Sequence, residues 1–397
     1  MQLKKSRSCS YENKKCTIRV QRYCFILKYA KKVVLLQKIS ITIMRLFRLF
    51  LLTFFSLTML SPIKASLNYS YADSVILSAI RDTLIPGAVL CVVDNQEIVY
   101  LQAYGNRRVI PNVELMTTNT IFDLASVTKP LGAGSAMLML CAEGKASVND
   151  YVSQYIPNFH EDVQIRHLMT HYSGLPAYMN AIRLSNIWGV RKIHTTDFPD
   201  YMIDTIARCK RHALAGIEYR YSCLNYITLQ RVVENIVKTD INSHMRNTLY
   251  KTLELPTMGW LLDDSLLYRT APTEEKYNGI CICGSPHDPL AGYIMRNVSG
   301  NAGIFATAEE VATWAIWFMG LPLEIRENGC QAGLWTDTVA TSTGEQQRCR
   351  HTGYTGTSVT IMPQSGRALV LLTNRVHPRD VHSLGDLRRK LNEWLIP

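Results

Sequence analysis

Ser126 and Lys129 stand three residues apart in Phe122–Pro130, which reads F-D-L-A-S-V-T-K-P. On a helix, residues three apart share a face, so the hydroxyl and the amine would meet on one turn. A serine hydroxyl becomes a nucleophile when a neighbour takes its proton. A lysine can be that neighbour if burial in apolar surroundings lowers its pKa. The next stretch, Leu131–Cys141, is apolar and rich in helix formers. A helix opened by Ser126 would also aim backbone N–H groups at a developing oxyanion. The four-residue pattern is weak alone: Ser61-Pro62-Ile63-Lys64 repeats it at the end of an apolar run and is expected to be idle. An N-cap serine beside an exposed lysine is the ordinary alternative at Ser126.

Three other stretches carry candidate chemistry. Tyr219–Tyr226, Y-R-Y-S-C-L-N-Y, precedes a helical run at Ile227–Val237. A tyrosine beside a lysine can share the proton work of acyl transfer; aromatic packing is the alternative. Arg350–Thr357, R-H-T-G-Y-T-G-T, has two glycines that would let a substrate backbone approach a strand, or would simply turn the chain. His167 and His171 have the four-residue spacing of zinc ligands, but no glutamate follows the first and no third ligand is evident. They are expected to bond the turn imposed by Gly174 and Pro176, and no metal is assigned.

The elements around these candidates follow from pattern. Tyr71–Leu84 has a helical period; Ala88–Val93 and Glu97–Ala103 form a hairpin across Asp94-Asn95-Gln96. Ser358–Met362 and Ala368–Leu372 form a second hairpin, and Leu384–Leu395 a closing amphipathic helix. Strands near both ends with helical material between them imply a sheet built from both termini and an inserted helical region. The net charge of +11 is uneven: residues 1–65 hold 14 of the 43 Lys/Arg and one of the 32 acids, which leaves 29 basic against 31 acidic residues. The body has no basic excess, which argues against nucleic acid as a partner. From Met44 a basic start, an apolar run at Leu46–Leu60 and small residues near Ala65 have the shape of a secretory signal. Residues 1–43 are therefore expected to lie outside the mature protein, and 44–65 to be a signal or an N-terminal anchor. Residues 66–397 form the functional domain. Membrane association through 44–65 stays open. Eleven cysteines, three in the first 43 residues, show no ordered framework.

Taken together, the segments resemble the penicillin-recognising serine hydrolases, which include class C β-lactamases, D-alanyl-D-alanine carboxypeptidases and related esterases and amidases. The resemblance spans about residues 75–380 and rests on seven pieces in order: S-V-T-K, H-L-M-T-H-Y-S-G-L-P, Y-S-C, H-D-P-L-A (His287–Ala291), G-N-A-G-I-F-A-T-A (Gly300–Ala308), H-T-G-Y-T-G-T and L-L-T-N-R-V-H-P (Leu371–Pro378). It implies an α/β chain of α+β type with the β-lactamase/transpeptidase-like fold, an antiparallel sheet flanked by the terminal helices with a mainly helical insertion. It implies Ser126 as acylated nucleophile, Lys129 as partner base and Tyr221 as the group passing protons to the leaving group. His351-Thr352-Gly353 takes the place of K-T-G, and the amides of Ser126 and Tyr354 form the oxyanion hole. No cofactor is implied. Two positions depart. Cys223 stands where the family commonly has Asn, and Asn225 two positions on is expected to point elsewhere. His351 replaces a lysine suited to a substrate carboxylate and is expected to gain charge only as pH falls towards 6. The implied activity is hydrolysis, through an acyl-enzyme, of a small or muropeptide-like amide, peptide or ester in the periplasm or cell envelope. A β-lactamase and a non-catalytic penicillin-binding relative are the alternatives.

Overall fold

Two apolar runs from opposite ends of the chain meet in the middle of one sheet. The computed structural model of the protein describes residues 67–188 and 198–396; the leader, the start at Met44 and the Ser61–Lys64 copy lie outside the described residues. Strands β1 (Gly87–Asp94) and β2 (Glu97–Arg108) form the first hairpin, turned by Asn95 and Gln96 at φ 53° and 63°. A short β3 (Glu114–Leu115) extends its edge. The C-terminal part supplies β4 (Trp335–Thr341), β5 (Gly344–Thr352), β6 (Ser358–Met362) and β7 (Arg367–Thr373). The sheet is antiparallel throughout, in the order β3-β2-β1-β7-β6-β5-β4, with Cys91 opposite Val370 where the two ends join.

β1 is buried on both faces, which is why it reads as an unbroken apolar run rather than an alternation. Val89, Cys91 and Val93 face one core with Ala368, Val370 and Leu372. Ala88, Leu90 and Val92 face the other with Leu369 and Leu371. The second core is closed by helix α1 (Tyr69–Arg81), through Ala72, Ile76 and Ala79, and by the C-terminal helix Gly385–Leu395, through Leu387, Leu391 and Leu395. The first core receives the inserted region, including α2 (Ser135–Ala142), α3 (Cys223–Val237) and α4 (Ala308–Gly320); the C-terminal helix is α5. α3 is opened by Ser222, whose Oγ accepts from Leu224 N, and α4 by a capping box between Thr307 and Glu310. This is the expected architecture.

One local expectation changes. Ser126 does not open one long helix: the chain runs through a 3₁₀ turn at Ala125–Val127 and a wide π turn at Pro130–Gly134 before α2 begins. β4 and most of β5 carry no strong apolar alternation because they form a partly exposed ribbon, with Trp335–Thr341 alternating between half-buried and exposed positions.

Leu391 is fully buried between α5 and the sheet. Leu391→Ala is expected to cost ~2–5 kcal/mol, read from a shift of the urea midpoint at unchanged slope. A loss under ~1 kcal/mol would mean that α5 is not a structural part of this core.

Candidate active site

The turn that carries Ser126 is held in an uncommon backbone conformation. Ala125 lies at φ 45°, a region non-glycine residues seldom occupy. The Asp123 carboxylate holds it there, accepting from Ala125 N at 2.8 Å and from His287 N at 2.7 Å. Burial pushes the Asp123 carboxyl up, and those two N–H bonds pull it back. Thr355 Oγ1 donates to Asp123 O at 2.7 Å and Thr357 Oγ1 to Leu124 O at 2.8 Å, so the turn after β5 is stitched to the Ser126 turn. Gly353 lies in this seam, where a Cβ would collide with Thr357 Oγ1 and Leu124 O.

Lys129 is completely buried and its Nζ reaches three acceptors: Ser126 Oγ at 2.9 Å, Asn301 O at 2.7 Å and Cys223 Sγ at 3.9 Å. An ammonium has three N–H donors and no acceptor, which matches this set. The Tyr221 ring lies 5.0 Å from Nζ. Burial favours the neutral amine, as expected from the sequence, but does not decide the outcome. Cys223 and Tyr221 as acidic neighbours, the Tyr221 hydrogen bond and Asp288 together hold Lys129 above the ordinary lysine value. The Cys223 thiol is pushed up by burial and pulled back by the ammonium.

Tyr221 sits in a cage of rings. His171 lies 4.5 Å away by ring centroid, Trp335 5.8 Å and His351 6.3 Å. The His171 Nδ1 accepts from Ser222 N at 3.2 Å and contacts Asn225 Nδ2 at 3.1 Å, so this histidine supports the turn that presents Tyr221. His167 Nδ1 likewise accepts from Gln164 N at 3.1 Å. Asn225 points away from the site, its Oδ1 taken by Ser173 Oγ at 2.5 Å. Sequence reading missed the Asn301 carbonyl, Asp123 and Trp335. Asn301 acts through its backbone oxygen, which carries no residue signature, whereas Asp123 acts through its carboxylate on the neighbouring amides.

His351 requires a correction. It was expected to face a substrate carboxylate; instead its ring is fully buried, stacked on Trp335 at 4.5 Å and 13°, with Nδ1 3.0 Å from Thr352 O. A carbonyl only accepts, so Nδ1 carries a hydrogen. Burial first, then the nearby Lys129 charge, lowers its pKa to about 3, so it gains no charge near pH 6.

Ser126, Tyr221, Trp335, Thr352, Gly353 and Tyr354 line one open cleft of about 700 Å³, together with Arg375, Asp380 and Arg388. The hydrogen bonds that close the two turns use the amides of Ala125, Val127, Gly353 and Gly356, not those of Ser126 and Tyr354. Tyr354 is clamped: Arg375 donates to its carbonyl from Nε at 3.1 Å and Nη2 at 2.6 Å, and Asp380 accepts from its hydroxyl.

A family model described as Beta-lactamase matches residues 73–393. A curated protein of Salmonella agona, named "Putative D-alanyl-D-alanine carboxypeptidase", is 27% identical over 357 positions, covering 74% of this chain and 79% of its own length. Among solved structures, the octameric penicillin-binding protein homologue from Pyrococcus abyssi has a TM-score of 0.63 at 17% identity, covering 79% of this chain and 75% of its own. A β-lactamase/D-alanine carboxypeptidase from Pseudomonas syringae has 0.63 at 14%, covering 82% and 98%. These structural likenesses show the fold.

The burial of His351 has a measurable consequence. Its folded pKa, about 3, lies below the ordinary histidine value of 6.5, so the unfolded chain takes up this proton first as pH falls. The ring's contribution to stability is full above the unfolded value and is lost as pH drops towards the folded one. The His351 C2–H resonance is expected to stay at its neutral position from about pH 8 to about pH 5. A titration centred near 6 would show that the ring reaches solvent.

Proposed function

Since the chain belongs to the beta-lactamase family, we propose that it is a serine hydrolase that forms an acyl-enzyme on Ser126 and acts on a peptide, amide or ester of the cell envelope. The observation that carries this is the 2.9 Å hydrogen bond between the buried Lys129 Nζ and Ser126 Oγ at the wall of an open cleft. Ser126 Oγ attacks the acyl carbon. The Lys129–Tyr221 pair takes the hydroxyl proton as that bond forms and returns it to the leaving group as the scissile bond breaks. The amides of Ser126 and Tyr354 are the donors assigned to the oxyanion. Water then attacks the ester, giving its proton to the same pair and releasing Ser126. The hydrogen bonds at Lys129 are those of an ammonium, so the pair must first give up a proton before it can accept that of Ser126.

The D-alanyl carboxypeptidase reading is supported by the name of the Salmonella relative. The export of the protein and any anchoring through residues 44–65 belong to the same proposal and rest on sequence alone; among the described residues no helix is long and apolar enough to cross a membrane. The rival of another class, a binding protein that keeps the fold, has Cys223 as its support.

Ser126→Ala is expected to abolish covalent labelling by a fluorophosphonate or a fluorescent penicillin, with the wild-type adduct found by mass spectrometry on the peptide that contains Ser126. An adduct elsewhere, or wild-type protein that never labels, would overturn the assignment.

Cys223→Asn gives Lys129 a stronger acceptor and adds an N–H for substrate. It is expected to leave turnover of an amide substrate equal or several-fold faster, about 1 kcal/mol of hydrogen bonding. A large loss in a folded variant would mean that the pocket is built around the thiol.

A further inference from the structure

The Tyr354 amide sits on a turn between strands, where no ladder fixes its direction. β5 ends at Thr352 and β6 begins at Ser358. Within the turn, Gly353 N donates to Thr357 O at 2.7 Å and Gly356 N to Gly353 O at 3.2 Å. The Tyr354 side chain is 58% exposed, so core packing does not hold this backbone in place. Two arginines on the wall of the cleft do, and both bind backbone carbonyls.

Arg388, from the first turn of α5, places Nη2 3.0 Å from Gly353 O and 3.0 Å from Thr357 O. Gly353 O and Tyr354 N belong to one trans peptide unit, whose C=O and N–H point in opposite directions. Fixing the carbonyl on the Arg388 side therefore fixes the N–H on the other. Arg375, two residues beyond β7, holds the next unit, with Nε 3.1 Å and Nη2 2.6 Å from Tyr354 O. Those two donors fill the two lone pairs of that carbonyl. Arg375 is itself anchored: Nη1 lies 2.6 Å from Asp380 and also donates to His382 O. Asp380 accepts from the Tyr354 hydroxyl as well, and the Arg375 guanidinium lies 5.0 Å from the Tyr354 ring. Charge acts in the same direction. Burial first, then the neighbouring Arg375 charge, lowers the Arg388 pKa to about 10, so the side chain is still a cation at neutral pH. A cation bonded to a carbonyl polarises the peptide and strengthens the N–H at its other end.

We propose that Arg375 and Arg388 are positioning residues of the oxyanion hole: by holding Tyr354 O and Gly353 O, they aim the Tyr354 N–H at the oxygen that gains negative charge when Ser126 attacks. This deepens the serine-hydrolase reading and rests on it. Neither arginine touches the reacting atoms in this role; each acts through the peptide it grips. An N–H already in place needs no rearrangement as the charge forms, which is the source of an oxyanion donor's effect on rate. The two grips come from the end of the sheet and from the C-terminal helix, so the terminal elements of the chain set the geometry of the site as well as closing the core.

The test compares a fluorophosphonate with its P=S counterpart. Each is read as the rate of adduct formation on the Ser126 peptide by mass spectrometry, divided by that probe's rate with hydroxide. Sulfur is larger than oxygen and a weaker acceptor, so a well-aimed N–H favours the P=O probe. Wild-type protein is expected to show an oxo-to-thio ratio of about tenfold or more. Arg388→Gln and Arg375→Gln should each slow the P=O probe about tenfold and change the P=S probe little, which brings the ratio towards one. Arg375→Lys keeps the charge without the fork and should retain only part of the ratio. Asp380→Ala, at an exposed position and with both arginines present, releases the anchor of Arg375 and should also lower the ratio. A purely structural role would slow both probes alike and leave the ratio at its wild-type value. A wild-type ratio near one overturns the proposal. So does a ratio that survives Asp380→Ala and whichever of the arginine variants fold. Wild-type protein that reacts with neither probe removes the hydrolase reading beneath it, while reaction at Ser126 with an insensitive ratio removes the arginines' role alone.

Discussion

A completely buried lysine is the constraint on which the rest of the structure depends. Taking an ammonium out of water costs several kcal/mol unless its donors are met. Here they are met by three pieces of chain far apart in sequence: the Ser126 turn, the first residue of α3 through Cys223, and the Asn301 carbonyl. None can move far without leaving a buried charge short of a partner. The inserted helical region and the turn that carries Ser126 are thus tied to each other by the Lys129 ammonium.

The surrounding fold turns that tie into a cleft. Asp123 holds the Ser126 turn from below, while Thr355 and Thr357 join it to the end of β5. Tyr221 is fixed from the helical side by His171 and from the sheet side by Trp335, the first residue of β4. Trp335 then covers His351 on the neighbouring strand, which removes that imidazole from solvent. Beyond that strand Arg375 pairs with Asp380 and holds the Tyr354 carbonyl.

Elements buried on both faces were the most legible in the sequence. β1 and β7 are continuous apolar runs because each lies between two cores, and α5 announces itself through Leu387, Leu391 and Leu395. The Ser126–Lys129 spacing placed the two groups in contact, although the helix between them changes pitch; Ala125 at positive φ has no residue signature. β4 and β5 were hard to read because an exposed ribbon needs few apolar residues. The chemical identity of His351 was plain, but its burial depends on a tryptophan that reaches it only through strand pairing. The pull of burial on Lys129 was also foreseeable, whereas the opposing acceptors become visible only when Cys223, Tyr221 and Asn301 converge in space.

The protonation state of Lys129 in the unacylated protein tests this account most directly. Nitrogen-15 NMR of lysine Nζ, with the Lys129 signal assigned by its loss in Lys129→Arg, reads that state without turnover. An ammonium that persists above the ordinary lysine range is the predicted result, because acceptors from three chain segments hold the proton against burial. A neutral amine at neutral pH would contradict it.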